Sequence, residues 1–241
     1  MSEKLLEIRS LSKSHGHLKV LDEVSFDLQP GEILGLVGRR GSGKSTLLNL
    51  IGGAIQPSGG EIILSGEDHT FQDTAKARQG GIELVYQTPQ LLDSLDIVHN
   101  IFFGHEVGWL TRVGGSDWER MYSQAKDILA GFELPSSFMQ EQVEDLTDEQ
   151  RHLVAFARAI CLPPKLLLLD DVLLNLSFRR QELILEHIRV LANEGVSVII
   201  SSDNLKHLFK ITDRILVLFE GRISTIRSTE DVTPREIVEL I

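Results

Sequence analysis

Residues 38–45 of the chain read Gly38-Arg39-Arg40-Gly41-Ser42-Gly43-Lys44-Ser45 and match the pattern G-x-x-x-x-G-K-[ST] at every fixed position. An apolar run of strand length, residues 32–37, precedes the stretch, and an apolar pattern of helical spacing, residues 46–51, follows it. A glycine-rich turn between strand and helix lets backbone N–H groups surround a phosphate at the positive end of the helix. Lys44 then reaches the β- and γ-phosphates, and the Ser45 hydroxyl ligates Mg²⁺. The stretch therefore predicts a binding loop for a nucleoside triphosphate.

A second part of the same site is predicted where four consecutive leucines, residues 166–169, end at Asp170. An uninterrupted apolar run is typical of a strand at the centre of a parallel sheet, buried on both faces. A carboxylate at the end of such a strand can hold the hydration shell of Mg²⁺ beside the phosphate loop. The run alone is weak evidence, but together with residues 38–45 it indicates a magnesium–nucleotide site.

Composition limits the classes of function. The chain has 241 residues, with 35 acidic and 24 basic side chains and a formal net charge of −11. This balance argues against nucleic acid as the main ligand, because binding a phosphate backbone calls for a basic face. Cys161 is the only cysteine, so an intramolecular disulfide is impossible. We see no signal-peptide pattern and no apolar run near the ~20 residues that span a bilayer, so we expect a cytoplasmic protein.

The order of patterns along the chain predicts an α/β fold in one domain. Strand patterns and the phosphate loop occupy about residues 1–90, and alternating helices and strands occupy about residues 146–241. Between them, about residues 91–145 change to helical periodicity, which predicts an inserted helical subdomain. Residues 146–162 predict one helix, ended by Pro163-Pro164.

The chain resembles the ATP-binding subunit of ABC transporters along nearly its whole length. The resemblance is carried by the phosphate loop through Thr46, a Q-loop at Tyr86-Gln87, the helix of residues 150–159, the strand ending at Asp170, and residues 215–223. Residues 81–87 followed by 100–106 are most similar to ATPases of ribose-type sugar importers. The resemblance implies a P-loop NTPase core of the ABC type, with an antiparallel β subdomain and an inserted helical subdomain. Two such domains would sandwich two ATP molecules.

The resemblance also implies site residues, carried over position by position. The nucleotide would be held by Gly38, Arg39, Arg40, Gly41, Ser42, Gly43, Lys44, Ser45 and Thr46, with His15 in the place of the aromatic residue that stacks on adenine. Mg²⁺ would be held by Ser45, Gln87 and Asp170, and the catalytic group would be Gln87, Asp171 and Ser202. The motif that contacts the partner's ATP would be Leu146-Thr147-Asp148-Glu149-Gln150.

The chain departs from the family at those catalytic positions. Asp171 stands where the family has a water-activating glutamate, and a reach shorter by roughly 1 Å can cost ~10²-fold in rate. Ser202 stands where the family has a switch histidine, and a hydroxyl carries no positive charge toward the γ-phosphate. In place of LSGGQ, Thr147 and Gln150 form a T-x-x-Q capping box. Asp148 and Glu149 then occupy the place of the phosphate, where like charges ~4 Å apart repel by about 4 kcal/mol at an effective dielectric constant of 20.

Three readings of the function remain open at this point. The first is the ATPase subunit of a sugar-type ABC importer, with weak or absent hydrolysis of its own, on the inner face of the membrane. Its partners would be transmembrane permease subunits, an extracellular solute-binding protein and a second, non-identical ABC ATPase, with no nucleic acid. The second is a non-catalytic, ATP-holding partner of an intact sister ATPase, and the third is a soluble ABC protein without a permease.

Overall fold

The computed structural model of the chain describes residues 4–70, 72–104 and 118–241. In chain order the strands are β1 (Leu6–His15), β2 (Leu18–Leu28), β3 (Ile33–Val37), β4 (Gly59–Leu64), β5 (Glu67–Asp68), β6 (Ile82–Val85), β7 (Leu166–Leu169), β8 (Ser197–Ser201), β9 (Arg214–Phe219) and β10 (Arg222–Ser228). The helices are α1 (Lys44–Ile51), α2 (Thr74–Gly80), α3 (Ile97–Phe102), α4 (Trp118–Gly131), α5 (Asp148–Ile160), α6 (Phe178–Asn193), α7 (Leu205–Ile211) and α8 (Pro234–Glu239). Short 3₁₀ turns lie at Ser136–Gln140, Val143–Asp145 and Thr229–Asp231.

A six-stranded sheet in the order β10-β9-β3-β8-β7-β6 forms the centre of the molecule. Its strands pair in parallel from β9 to β6, and only the edge strand β10 pairs antiparallel. The leucine run was predicted as a central strand, and β7 confirms this because all four of its residues are buried. A strand that is apolar on both faces is stable only when both faces are covered, and here they are.

Two hydrophobic clusters cover the two faces of this sheet. Alternate residues of a strand point to opposite faces, so Leu167 and Leu169 lie in one cluster while Leu166 and Leu168 lie in the other. The second cluster is completed by α1 and by an antiparallel sheet in the order β2-β1-β4-β5. The first cluster is completed by helices, with α5 as the main contributor. The predicted combination of an α/β core and an antiparallel β sheet is confirmed.

Helical packing dominates the described part of residues 91–145. Helix α3 contacts α4 and α5, and the aromatic rings of Phe132 and Phe156 meet edge to face with centroids 5.7 Å apart. Both phenylalanine side chains are fully buried. The division of the chain at residues 91 and 146 stays a prediction, and residues 105–117 of the predicted insert lie outside the described residues.

The helix predicted over residues 146–162 is shorter, because Leu146 and Thr147 precede it and Thr147 is its N-cap. The alternation of helices and strands predicted after residue 146 is confirmed, with α6 and α7 among the helices. Helix α2 was not predicted, since only Ala77 of its seven residues is buried and its pattern has no apolar periodicity.

We expect Phe156→Ala to lower the free energy of unfolding by about 3–5 kcal/mol, because it removes a fully buried ring that joins α5 to α4 and leaves a cavity. The measurement is equilibrium denaturation in urea. Val190→Ala, on a half-exposed position of α6, is the control and should change the free energy by less than about 0.5 kcal/mol. Equal effects of the two substitutions would contradict the packing described here.

Candidate nucleotide-binding site

The loop between β3 and α1 depends on glycines where the backbone approaches other atoms closely. A Cβ atom on Gly38 would lie 2.2 Å from the carbonyl oxygen of Leu218, and one on Gly43 would lie 2.7 Å from the side chain of Leu21. Gly43 also has a φ of 106°, a backbone conformation that residues with a Cβ atom rarely adopt. Strand β3 thus ends against β9, and the loop is forced to turn above the carboxyl edge of the parallel sheet.

Lys44 lies at the bottom of this loop. Its side chain is only 7% exposed, and its Nζ donates to the carbonyl oxygen of Gly38 at 2.6 Å and to Oδ1 of Asp203 at 3.1 Å. An ammonium group has three donors, so one remains for another acceptor. The predicted phosphate-binding lysine is therefore already oriented into the loop, and a carboxylate is its ionic partner.

Ser45 and Asp170 are far apart in the sequence but in contact in the fold. The Ser45 hydroxyl donates to Oδ1 of Asp170 at 3.0 Å, and the Ser201 hydroxyl donates to the same oxygen at 3.0 Å. Ser201 in turn accepts a hydrogen bond from the backbone N–H of Asp171 at 2.9 Å. The pair of residues predicted as magnesium ligands is thus held in contact at the edge of the sheet.

Asp171 is held in an unfavourable environment for a charge. Its backbone has a φ of 48°, a left-handed conformation that is uncommon for residues other than glycine. Burial raises the pKa of its carboxyl group, and the nearby negative charge of Asp203 raises that pKa further, while Lys44 lowers it. A carboxyl group with a raised pKa is a weaker acid than the same group in water.

These groups surround a cavity of about 390 Å³. Among the predicted site residues, those lining it are Arg39, Arg40, Gly41, Gly43, Lys44, Ser45, Thr46, Gln87 and Asp171. Ser42 does not line this cavity, and its hydroxyl is buried in the loop without a hydrogen-bond partner. Ser45 and Asp170 offer oxygen ligands suited to a hard cation. Together with Lys44 they fit the phosphates of a nucleotide that carries Mg²⁺.

Ser202 and His15 are among the predicted residues that do not line this cavity. Ser202 lines two adjoining cavities instead, and its hydroxyl accepts a hydrogen bond from the backbone N–H of Asn204 at 3.1 Å. His15 is exposed at the end of β1 and does not line the cavity, whereas Val20 of β2 does. The stacking role of His15 and the catalytic role of Ser202 stay predictions.

The structure adds Asp203, which sequence reasoning missed. The signal was available, because a carboxylate close behind β8 must lie near the edge where β3 and β7 also end. The pattern did not give the direction of its side chain, so the ion pair with Lys44 could not be foreseen.

Comparison with known proteins identifies the family of this chain. The family model described as ABC transporter matches residues 21–173, more than half of the chain. The chain belongs to the ABC transporter family. It is 35% identical over 98% of its length to the xylose/arabinose import ATP-binding protein of Sulfolobus acidocaldarius, covering 93% of that protein. It is 34% identical over 98% of its length to the fructose import ATP-binding protein of Rhizobium meliloti, again covering 93%.

Other relatives of the family are longer or are known as structures. A ribose import ATP-binding protein of Rhizobium etli is 31% identical over 98% of this chain, which covers only 46% of that protein. The crystal structure of a nucleotide-free ATP-binding cassette from an ABC transporter superposes with a TM-score of 0.83 at 25% identity, covering 98% of both chains. The fold of this chain is that of the ABC ATPase cassettes.

The ABC signature position shows how this chain differs. The predicted capping box is present: Thr147 Oγ1 accepts from the N–H of Gln150 at 3.3 Å, and Gln150 Oε1 accepts from the N–H of Thr147 at 2.8 Å. Glu149 does not extend freely into solvent, because its Oε1 accepts from the N–H and the hydroxyl of Ser177 at 2.7 and 2.6 Å. Asp148 remains exposed in the first turn of α5. The N–H of Gln150 and the carboxylate of Glu149 therefore already have partners within this chain.

His152 joins this helix to the Q-loop. Its side chain is buried, with Nδ1 2.7 Å from the carbonyl oxygen of Asp148 and Nε2 3.0 Å from the carbonyl oxygen of Gln87. Nε2 also lies 3.5 Å from the side-chain nitrogen of Asn175. One ring therefore contacts the signature helix, the Q-loop and the segment that follows Asp171.

Glu149→Gln tests the contact with Ser177. The hydrogen bonds from Ser177 hold the pKa of Glu149 below its ordinary value. The ionised group therefore stabilises the fold fully when the pH is above the ordinary glutamate pKa. This stabilisation is lost as the pH falls through the lowered pKa. We expect Glu149→Gln to lower the free energy of unfolding by about 0.5–1 kcal/mol at pH 7 after allowing for solvent screening. The difference in free energy of unfolding from the unmodified chain should narrow as the pH falls through the lowered pKa of Glu149.

The measurement is urea denaturation at pH 7 and at pH 3. Glu144→Gln is the matched control, because Glu144 is exposed and its side chain makes no hydrogen bond or ion pair with the described residues. A loss from Glu149→Gln that is the same at pH 7 and at pH 3 would show that charge has no part in the contact.

Proposed function

We propose that the chain is the Mg-ATP-binding subunit of an ABC importer for sugars and that it couples its nucleotide state to a permease. The observation that carries the proposal is the site itself: a buried Lys44 below the glycine loop, beside a Ser45 hydroxyl bound to Asp170. This arrangement supplies a cation for the phosphates and two oxygen ligands for Mg²⁺. Gln87 lines the same cavity and is the third proposed metal ligand.

The sugar class is supported by the relatives. The names of three of its curated relatives specify import of xylose and arabinose, fructose, or ribose. Importers of this kind need transmembrane permease subunits and an extracellular solute-binding protein, and we propose both as partners, with this chain on the inner face of the membrane. No helix within the described ranges is both long and apolar enough to cross a bilayer.

The permease would dock on the helical subdomain of about residues 91–145. Leu92 and Phe103 are large apolar side chains that are 40% and 44% exposed in this region. Side chains of this type on a surface are suited to burial against a partner. Arg158 of α5 donates to the carbonyl oxygen of Gln90, so this region is tied directly to the chain that leads from the Q-loop.

Weak hydrolysis is the second part of the proposal. A catalytic carboxylate must reach the attacking water, and Asp171 is shorter than the glutamate of the family and sits on a strained backbone. Ser202 turns its hydroxyl to Asn204, so the position of the switch histidine offers no group to the γ-phosphate. Losses at groups that act on one water and one phosphate need not add.

A non-identical sister ATPase would explain why the signature end of α5 is closed. In a homodimer each ATP would face Asp148, Glu149 and a helix start where the N–H of Gln150 already donates to Thr147 Oγ1. Beside an intact partner, this chain's phosphate loop would face a glycine-rich signature motif and could close around ATP. The closed helix start therefore favours an ATP-holding subunit of a mixed pair.

Lys44→Ala should weaken binding of Mg-ATP by at least about tenfold, or ~1.4 kcal/mol, because it removes the cation for the β- and γ-phosphates. The measurement is a calorimetric titration of the purified chain, with the thermal midpoint confirming that the variant is folded. Lys76→Ala, an exposed lysine on α2, is the matched control and should bind as the unmodified chain does. Equal affinities of the unmodified chain and Lys44→Ala would refute the nucleotide site.

The native complex tests the mixed pair. We expect mass measurement of the purified complex to find this chain together with a second, different ABC ATPase and a permease. The isolated chain should turn over ATP at least ~10²-fold more slowly than the complex, because Asp171 and Ser202 cannot supply the missing reach and charge. A complex that contains only this ATPase and transports sugar in a Lys44-dependent way would overturn the mixed pair.

A further inference from the structure

Asp203 occupies an unusual place for a carboxylate. It follows β8 at the carboxyl edge of the sheet, its side chain is 68% exposed, and its Oδ1 lies 3.1 Å from Nζ of the buried Lys44. Together with Asp171 it lines the cavity that the phosphate loop forms. A negative group of this chain therefore already contacts the cation that a phosphate must reach.

The neighbouring residues fix Asp203 in this position. The Ser202 hydroxyl accepts from the N–H of Asn204, and the Asn204 side chain accepts from the N–H of Lys206 as the N-cap of α7. These two short-range bonds hold the turn on either side of Asp203, as serine and asparagine do in such turns. The carboxylate therefore does not depend on its ion pair alone to remain near Lys44.

The charges around the cavity are divided between two sides. The phosphate loop supplies Lys44, Arg39 and Arg40, while the ends of β7 and β8 supply Asp171 and Asp203. Asp203 raises the pKa of Asp171, which shows that the two carboxyl groups are close enough to repel. A β-phosphate held by the backbone of the loop lies on the positive side, whereas a γ-phosphate extends toward the two acids.

We propose that Asp203 is a specificity-determining residue that competes with the γ-phosphate for Lys44 and so shifts the preference of the site from triphosphate toward diphosphate. The proposal rests on the proposed function, because it requires that the loop bind adenine nucleotides. A diphosphate brings no additional charge to the acidic side and keeps its contacts with the loop. A triphosphate must displace Asp203 from Lys44 and accept a carboxylate as its neighbour.

The test is a calorimetric titration of the full chain with Mg-ADP and with the magnesium complex of the β,γ-imido analogue of ATP, which is not hydrolysed. Asp203→Asn keeps the size of the side chain and removes its charge. We expect the analogue to bind about fivefold more tightly to this variant, or ~1 kcal/mol, and ADP to change by less than about twofold. Asp203→Glu should restore the original ratio of the two affinities.

Asp127→Asn is the matched control, because it removes the same charge from an exposed position on α4 and should leave both affinities unchanged. If both nucleotides bind and Asp203→Asn leaves their ratio unchanged, the competition is wrong while the nucleotide site stands. If the variant binds the analogue more weakly, Asp203 is a ligand of the metal or nucleotide and the competition is again wrong. If the unmodified chain binds neither nucleotide, the proposed function fails and the inference fails with it.

Discussion

Parallel pairing of β3 with β8, and of β8 with β7, is the constraint on which the site depends. Parallel strands all point their carboxyl ends to one edge of the sheet, so three segments that are far apart in sequence end together. The phosphate loop follows the first strand, Asp203 follows the second, and Asp170 follows the third. The two hydrophobic clusters that bury both faces of the sheet hold this edge rigid, and a lysine can therefore be buried there between fixed acceptors.

Motif and periodicity were sufficient for the parts of the fold that follow from residue type. The glycine loop, the leucine strand and the capping box at Thr147 appear as predicted because each depends on local backbone chemistry. The directions of long polar side chains could not be predicted in the same way. Glu149 was expected to face a partner's phosphate, yet it accepts from Ser177, a residue 28 positions away that only the fold brings beside it.

The same limit applies to the turn between β8 and α7, which contains Ser202 and Asp203. The resemblance predicts Ser202 at the position of the switch histidine, but position in a pattern does not specify which atoms a hydroxyl will contact. In the structure the Ser202 hydroxyl accepts from the backbone N–H of Asn204, because a short polar side chain tends to bond locally. Asp203, one residue further, carries the charge to Lys44. Neither fact is visible before the turn between β8 and α7 is built.

The closed start of α5 also restricts how this chain could change over evolutionary time. Returning residues 148 and 149 to glycine would lower helix propensity by up to about 1 kcal/mol for each residue. It would also leave the two Ser177 donors without the carboxylate of Glu149. Each single step back toward a phosphate-binding motif therefore destabilises the fold before the motif is complete. The residues at the start of α5 therefore contribute to the stability of this chain, and a substitution there changes its folding as well as its surface.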